Sequence, residues 1–142
     1  MALRDALPLA SSMSERPPTP QTRFLPQYDD IAKFRDEAFT PNLVGRGAHL
    51  QAMVVCFEPG QFIPVHAPRL DIAIIVLEGE GELALDDGTV RLTPGATAFI
   101  PAGGTRGIRA ETRLKAFQVV SPVPTPADHE GVAAGLERGT WR

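Results

Sequence analysis

The stretch PGQFIPVHAPRLDIAIIVLEGEGE, Pro59 to Glu82, decides the fold. It opens on the turn pair Pro59-Gly60, passes a lone histidine, His66, and enters the apolar run Ile72 to Leu77 before a glycine-rich turn at Gly79 and Gly81. Alternate residues of a strand point to opposite faces, so Ile72, Ile74 and Val76 share one face and Ala73, Ile75 and Leu77 the other. A strand apolar on both faces has to be covered on both.

The same punctuation continues on either side. Upstream, HLQAMVVCF from His49 to Phe57 is a β-rich run ended by Glu58, and FIPVH follows the Pro59-Gly60 turn. Downstream, GELAL and TVRL flank Asp86-Asp87-Gly88, a hairpin signal because a type I′ turn needs positive φ at its two central residues. Leu83, Leu85, Val90 and Leu92 alternate there with Glu82, Thr89 and Arg91, the period of a sheet with one face in the core. Pro94-Gly95 turns the chain into ATAFIPAGG, and TRGIRA and TRLKAFQVV complete about eight strands. Frequent turns with no helices between strands mean antiparallel pairing, and this number suits a jelly-roll barrel. The last strand also looks apolar on both faces, with Phe117 and Val119 opposed to Leu114, Ala116 and Val120. Its outer cover is expected from the N-terminal helix or from a second subunit, and a homodimer is the sharper expectation.

Outside the strands the chain is simpler. Residues 1–27 are rich in Pro, Ser, Thr and charge, which predicts a flexible leader. Over 28–44, Asp29 or Asp30 is a candidate N-cap, Ile31, Phe34 and Ala38 share a face and Pro41 is a stop, predicting one short helix and a connection. The barrel is expected over 45–121, with a Pro-rich linker and tail over 122–142 in which a short helix forms and Trp141 pins the tail to the barrel or to a partner.

The bulk properties set limits. A chain of 142 residues suits one domain, which buries about 68% of the surface its unfolded state exposes. A net charge of -3 offers no basic face for nucleic acid, and no apolar run is long enough to span a bilayer. Cys56 is the sole cysteine, so an internal disulfide and a thiolate cluster are both excluded. With no signal-peptide pattern at the start, a cytoplasmic protein is expected.

Together with GTVRLTPGATAFIPAGGTRGIRA, Gly88 to Ala110, the opening stretch resembles the two motifs of the cupin superfamily. The resemblance covers roughly Gly45 to Pro122 and rests on GEGEL and IPAG. It implies an all-β chain, a cupin-type double-stranded β-helix (jelly-roll barrel) with a short N-terminal helix. It also implies four metal-binding positions, of which this chain keeps only His66. Pro68, Ile72 and Arg106 occupy the other three.

A catalytic metal needs about three protein ligands and an open position, and Arg106 would bring a cation to the site. Other residues do not rebuild it. His49 and Cys56, an odd number of residues apart on one expected strand, face opposite ways, and His129 lies in the tail. Asp71 would enter only if a bulge turned it inward. No metal and no other cofactor is therefore expected. The candidate ligand-binding residues are His66, Arg106, Gln118 and Asp71: an imidazole suited to contact or proton transfer, a guanidinium that needs an anion, an amide that points inward if Lys115 points to water, and a carboxylate beside both. Asp71 or Glu58 is the structural alternative as partner of Arg106. Catalytic residues stay unassigned.

These readings predict a barrel that binds a small anionic organic molecule without the usual metal. Two rivals stand beside it: a metal-dependent oxygenase or isomerase with shifted ligands, and a structural or regulatory dimer whose barrel is filled by Ile72, Ile74 and Val76.

Overall fold

The computed structural model describes residues 20–142; the part of the expected leader over 1–19 lies outside the described residues. Two antiparallel sheets face one another. The first, in the order β1-β2-β9-β4-β7, is built from β1 (Thr40–Arg46), β2 (Gln51–Phe57), β9 (Leu114–Ser121), β4 (Asp71–Glu78) and β7 (Thr97–Ile100). The second, in the order β3-β8-β5-β6, contains β3 (Phe62–His66), β8 (Arg106–Ala110), β5 (Gly81–Leu85) and β6 (Gly88–Leu92). The jelly-roll expectation holds, and the first sheet starts at Thr40, ahead of the expected boundary.

Alternation decides what faces the core. Ile72, Ile74 and Val76 are buried between the sheets, as are Leu114, Ala116 and Val120 on the neighbouring β9. The expected hairpin forms, with Leu85 paired to Gly88 across Asp86 and Asp87. Val90 departs from its expected place in the core and is 46% exposed, because β6 is an edge strand covered along one side only. Gly79, at φ +88°, turns the chain beneath the start of β9. A Cβ there would come within 1.9 Å of the Arg113 carbonyl oxygen, so no other residue fits.

The expected N-terminal helix is reduced to a 3-10 turn, Tyr28–Ile31. Beyond it, Ala32 is extended, and carbonyls that a helix would bond internally go to barrel side chains. Asn42 Nδ2 donates to Lys33 O (3.2 Å), and Gln61 Nε2 donates to Arg35 O (2.7 Å) and Asp36 O (3.3 Å). The segment still covers the outer face of β2, where Val54 and Cys56 are buried although they point away from the barrel interior. It is fixed by Tyr28 to Glu78, by Asp29 to Lys115, and by Phe34 beneath the Arg113 guanidinium. Ile75 and Phe99, farther across the same outer face, stay exposed.

At the C-terminus a 3-10 turn, Pro126–His129, leads into the helix α1 (Glu130–Arg138), which packs on β3. Gly135 permits this contact: a Cβ there would lie 2.3 Å from Pro64 Cβ. Trp141 then accepts the Val65 N–H at 2.7 Å and stacks under the Arg109 guanidinium, so it pins the tail to its own barrel.

Candidate functional site

Between the sheets, at the end of the barrel under the C-terminal segment, lies a cavity of about 350 Å³. Its walls are mostly apolar: Met53, Ile63, Leu70, Ile72, Ile74 and Leu83 among others, with Phe39 and Leu43 on the β1 side. Pro124, Asp128, His129 and Val132 form a roof from the tail. The filled-barrel expectation does not hold at this end, since Ile72 and Ile74 line a space and only Val76 is packed shut below them.

The strand pattern delivers three polar side chains to this cavity. His66 and Arg106 are cross-strand neighbours on β3 and β8, and Gln118 lies in the middle of the other sheet opposite Met53 and Ile74. Lys115 points the other way and bonds Asp29 and Glu78, which leaves Gln118 inward as the alternation requires.

Arg106 is 5% exposed. Its Nε donates to Gly104 O (3.2 Å) and its Nη2 to Pro101 O (2.9 Å), so two of five N–H groups are used on the loop before β8. Among the described residues no carboxylate lies within 4 Å of its nitrogens; Glu58, one expected partner, is taken by Arg113 (2.8 Å). Burial pulls the Arg106 pKa down, and the more distant Asp71 charge opposes that shift. Gln118, 4% exposed, has a buried Nε2 with no acceptor among the described residues. An amide left this way costs about 1–3 kcal/mol, and a bound molecule or water would relieve it.

His66 donates from Nδ1 to Pro64 O (2.8 Å), which fixes the tautomer and leaves Nε2 as an acceptor. Burial holds its pKa below the ordinary value, with smaller depressions from Arg106 and His129 set against the backbone hydrogen bonds that raise it. It is a neutral imidazole near pH 7.

Asp71 is not brought to the cavity with the other three. The bulge on β4 falls between Val76 and Glu78, at the far end, so Asp71 stays in phase with Ala73 and faces out. Its Oδ1 accepts the Ala102 N–H (2.8 Å), which anchors the loop whose carbonyls hold Arg106.

Two cavity residues, Gln51 and His129, lay beyond the sequence reading. Gln51, 8% exposed, accepts from Arg46 Nε at the rim (2.7 Å) and donates to Met53 Sδ. Its inward position was readable from alternation with Met53 and Val55. His129 carried no local signal, because only the docking of the tail brings it over His66.

The positions that the resemblance assigns to a metal do not fit one. They offer a single donor imidazole, a buried isoleucine, a proline and a guanidinium, one ligand where about three are needed. Among the described residues no group of three or more His, Cys, Asp or Glu converges. His49 precedes β2 and lies outside the barrel wall.

Comparison with known proteins agrees with the fold. The family described as "Cupin domain" matches residues 53–120. The chain is similar to the solved structure of TT1209 from Thermus thermophilus, at 26% identity and a TM-score of 0.67, over 70% of this chain and 98% of that one. An RmlC-like cupin protein from Desulfovibrio desulfuricans is 29% identical with a TM-score of 0.60, over 73% and 97% of the two chains. An RmlC-like cupin from Shewanella frigidimarina, 24% identical with a TM-score of 0.64 over 73% and 94%, shares the fold. No curated protein matches.

Proposed function

The chain belongs to the cupin superfamily, and from that premise we propose that its barrel binds a small anionic organic molecule without the usual cupin metal. The observation that carries this reading is the pairing, on one cavity wall system, of a buried guanidinium lacking a carboxylate with a buried amide lacking an acceptor. A carboxylate or phosphate oxygen satisfies both, since a planar fork of donors suits such groups. His66 Nε2 is the third contact, accepting a hydrogen bond from the ligand or a proton from it.

The protein is proposed to act in the cytoplasm as a homodimer, with the second copy covering the exposed Ile75 and Phe99. Among the described residues no helix is long and apolar enough to cross a membrane.

The test is a thermal-shift screen of organic acids and sugar phosphates against the wild type and Arg106→Ala, beside metal analysis of the wild type and His66→Ala. A ligand present at 100 times its Kd stabilises the native state by about 2.7 kcal/mol. That gain is expected with an anion and absent from Arg106→Ala. About one metal per wild-type chain, lost in His66→Ala, would sink the reading in favour of the shifted-ligand metalloenzyme.

A further inference from the structure

The buried polar residues among the described part of the chain are Gln51, Arg106 and Gln118, and all three line the same cavity. They amount to one cation and two amides. Gln51 is already engaged, with Arg46 on its oxygen and Met53 Sδ near its nitrogen. Arg46 itself sits at the exposed rim in water. Asp128 and His129 belong to the roof, where the Asp128 carboxylate is taken up by Thr125. What remains for a ligand inside the barrel is three guanidinium N–H groups of Arg106, the Gln118 amide and the His66 Nε2, against walls that are otherwise mainly aliphatic or aromatic.

That inventory discriminates among anions. A sugar phosphate would bring a ring of hydroxyls against Ile63, Ile72, Ile74 and Leu83, where each unpaired hydroxyl carries a desolvation penalty. A doubly charged group would meet one buried cation. A single carboxylate needs one cation and one or two neutral donors, and an apolar body replaces water along the rest of the wall. We infer that the ligand is a hydrophobic monocarboxylic acid whose carboxylate lies at Arg106 and Gln118 and whose hydrocarbon body fills the space between Met53, Ile63, Ile72 and Ile74. This rests on the anion-binding reading above and narrows it to one chemical class.

Titration calorimetry with butyrate, hexanoate, hexanamide and glucose 6-phosphate tests it. Each methylene moved from water to the apolar wall tightens binding about fourfold, so hexanoate is expected to bind about fifteenfold tighter than butyrate. Hexanamide, which keeps the body and loses the charge, is expected to bind at least about tenfold more weakly than hexanoate. Because Arg106 also holds two loop carbonyls, the variant of choice is Gln118→Leu, which leaves the strand pairing intact and is expected to weaken hexanoate by about tenfold. Equal affinities for butyrate and hexanoate, for hexanoate and hexanamide, or for wild type and Gln118→Leu would overturn the inference. Binding of glucose 6-phosphate with none of hexanoate would overturn it while leaving an anion in the barrel. Absence of binding by every anion would remove both.

Discussion

The two ends of the barrel are built by the same strands and solved differently. At the end near Gly79, Phe57, Val76, Leu92 and Leu114 fill the interior, and three cations outside it have carboxylate partners: Arg113 on Glu58, Lys115 on Asp29 and Glu78, Arg91 on Glu80 and Glu111. At the end near Arg106 the interior is hollow, and Arg106 and Gln118 have neutral partners or none among the described residues. Along β9 the change takes one alternation, from Ala116 to Gln118. Position in a strand fixes which face a side chain takes, whereas its partners are fixed by what the other sheet places opposite. One end is a core and the other is a hollow.

Substitutions that respect this division should affect stability at one end and binding at the other. The largest effect is expected from Gly79→Ala, which combines a positive φ with a backbone clash at the closed end and should cost about 4 kcal/mol in urea denaturation. Leu114→Ala leaves a void in the same region, and a loss of about 3 kcal/mol with ligand affinity unchanged is the expected result. At the hollow end the sign reverses. Gln118→Leu removes an unpartnered amide and should stabilise the ligand-free protein by about 1 kcal/mol. If it destabilises instead, the amide is paired in solution and the contrast between the ends is weaker than drawn.

The smallest effect separates the ends by pH. Burial holds His66 below its usual 6.5, so as pH falls below 6.5 the unfolded chain takes up that proton first and stability declines until the native pKa is passed. Glu58, held below its usual 4.5 chiefly by its hydrogen bonds to Arg113, contributes above 4.5 and loses that contribution only as pH falls through its native value. His66→Phe should therefore flatten the upper part of the curve of stability against pH and leave the acid limb unchanged. Loss of both slopes in that variant would show that the ends are coupled.

The barrel itself was largely legible in the sequence because periodicity and turn residues suffice for it: Ile72, Ile74, Val76 and Leu114 face inward by alternation, and the expected hairpin forms over Asp86 and Asp87 ahead of Gly88. His66 and Arg106 were found at positions that the family resemblance implies, and Gln118 by alternation with Lys115. Asp71 was misplaced because the position of a β-bulge is set by the pairing of two strands and leaves no mark on one. The helix expected after Asp29 gave way to extended chain because Gln61 and Asn42, distant in sequence, compete for its carbonyls. His129 and the roof could not be read, since the docking of α1 depends on Gly135 meeting Pro64.

That docking has a practical consequence. The chain has one tryptophan, Trp141, and it is held under Arg109 at the end of the same tail that roofs the cavity. Lifting the roof moves the indole from beneath a guanidinium into water, which shifts its emission to longer wavelength. Intrinsic fluorescence of the unlabelled protein is thus a gauge of whether the mouth of the barrel is shut.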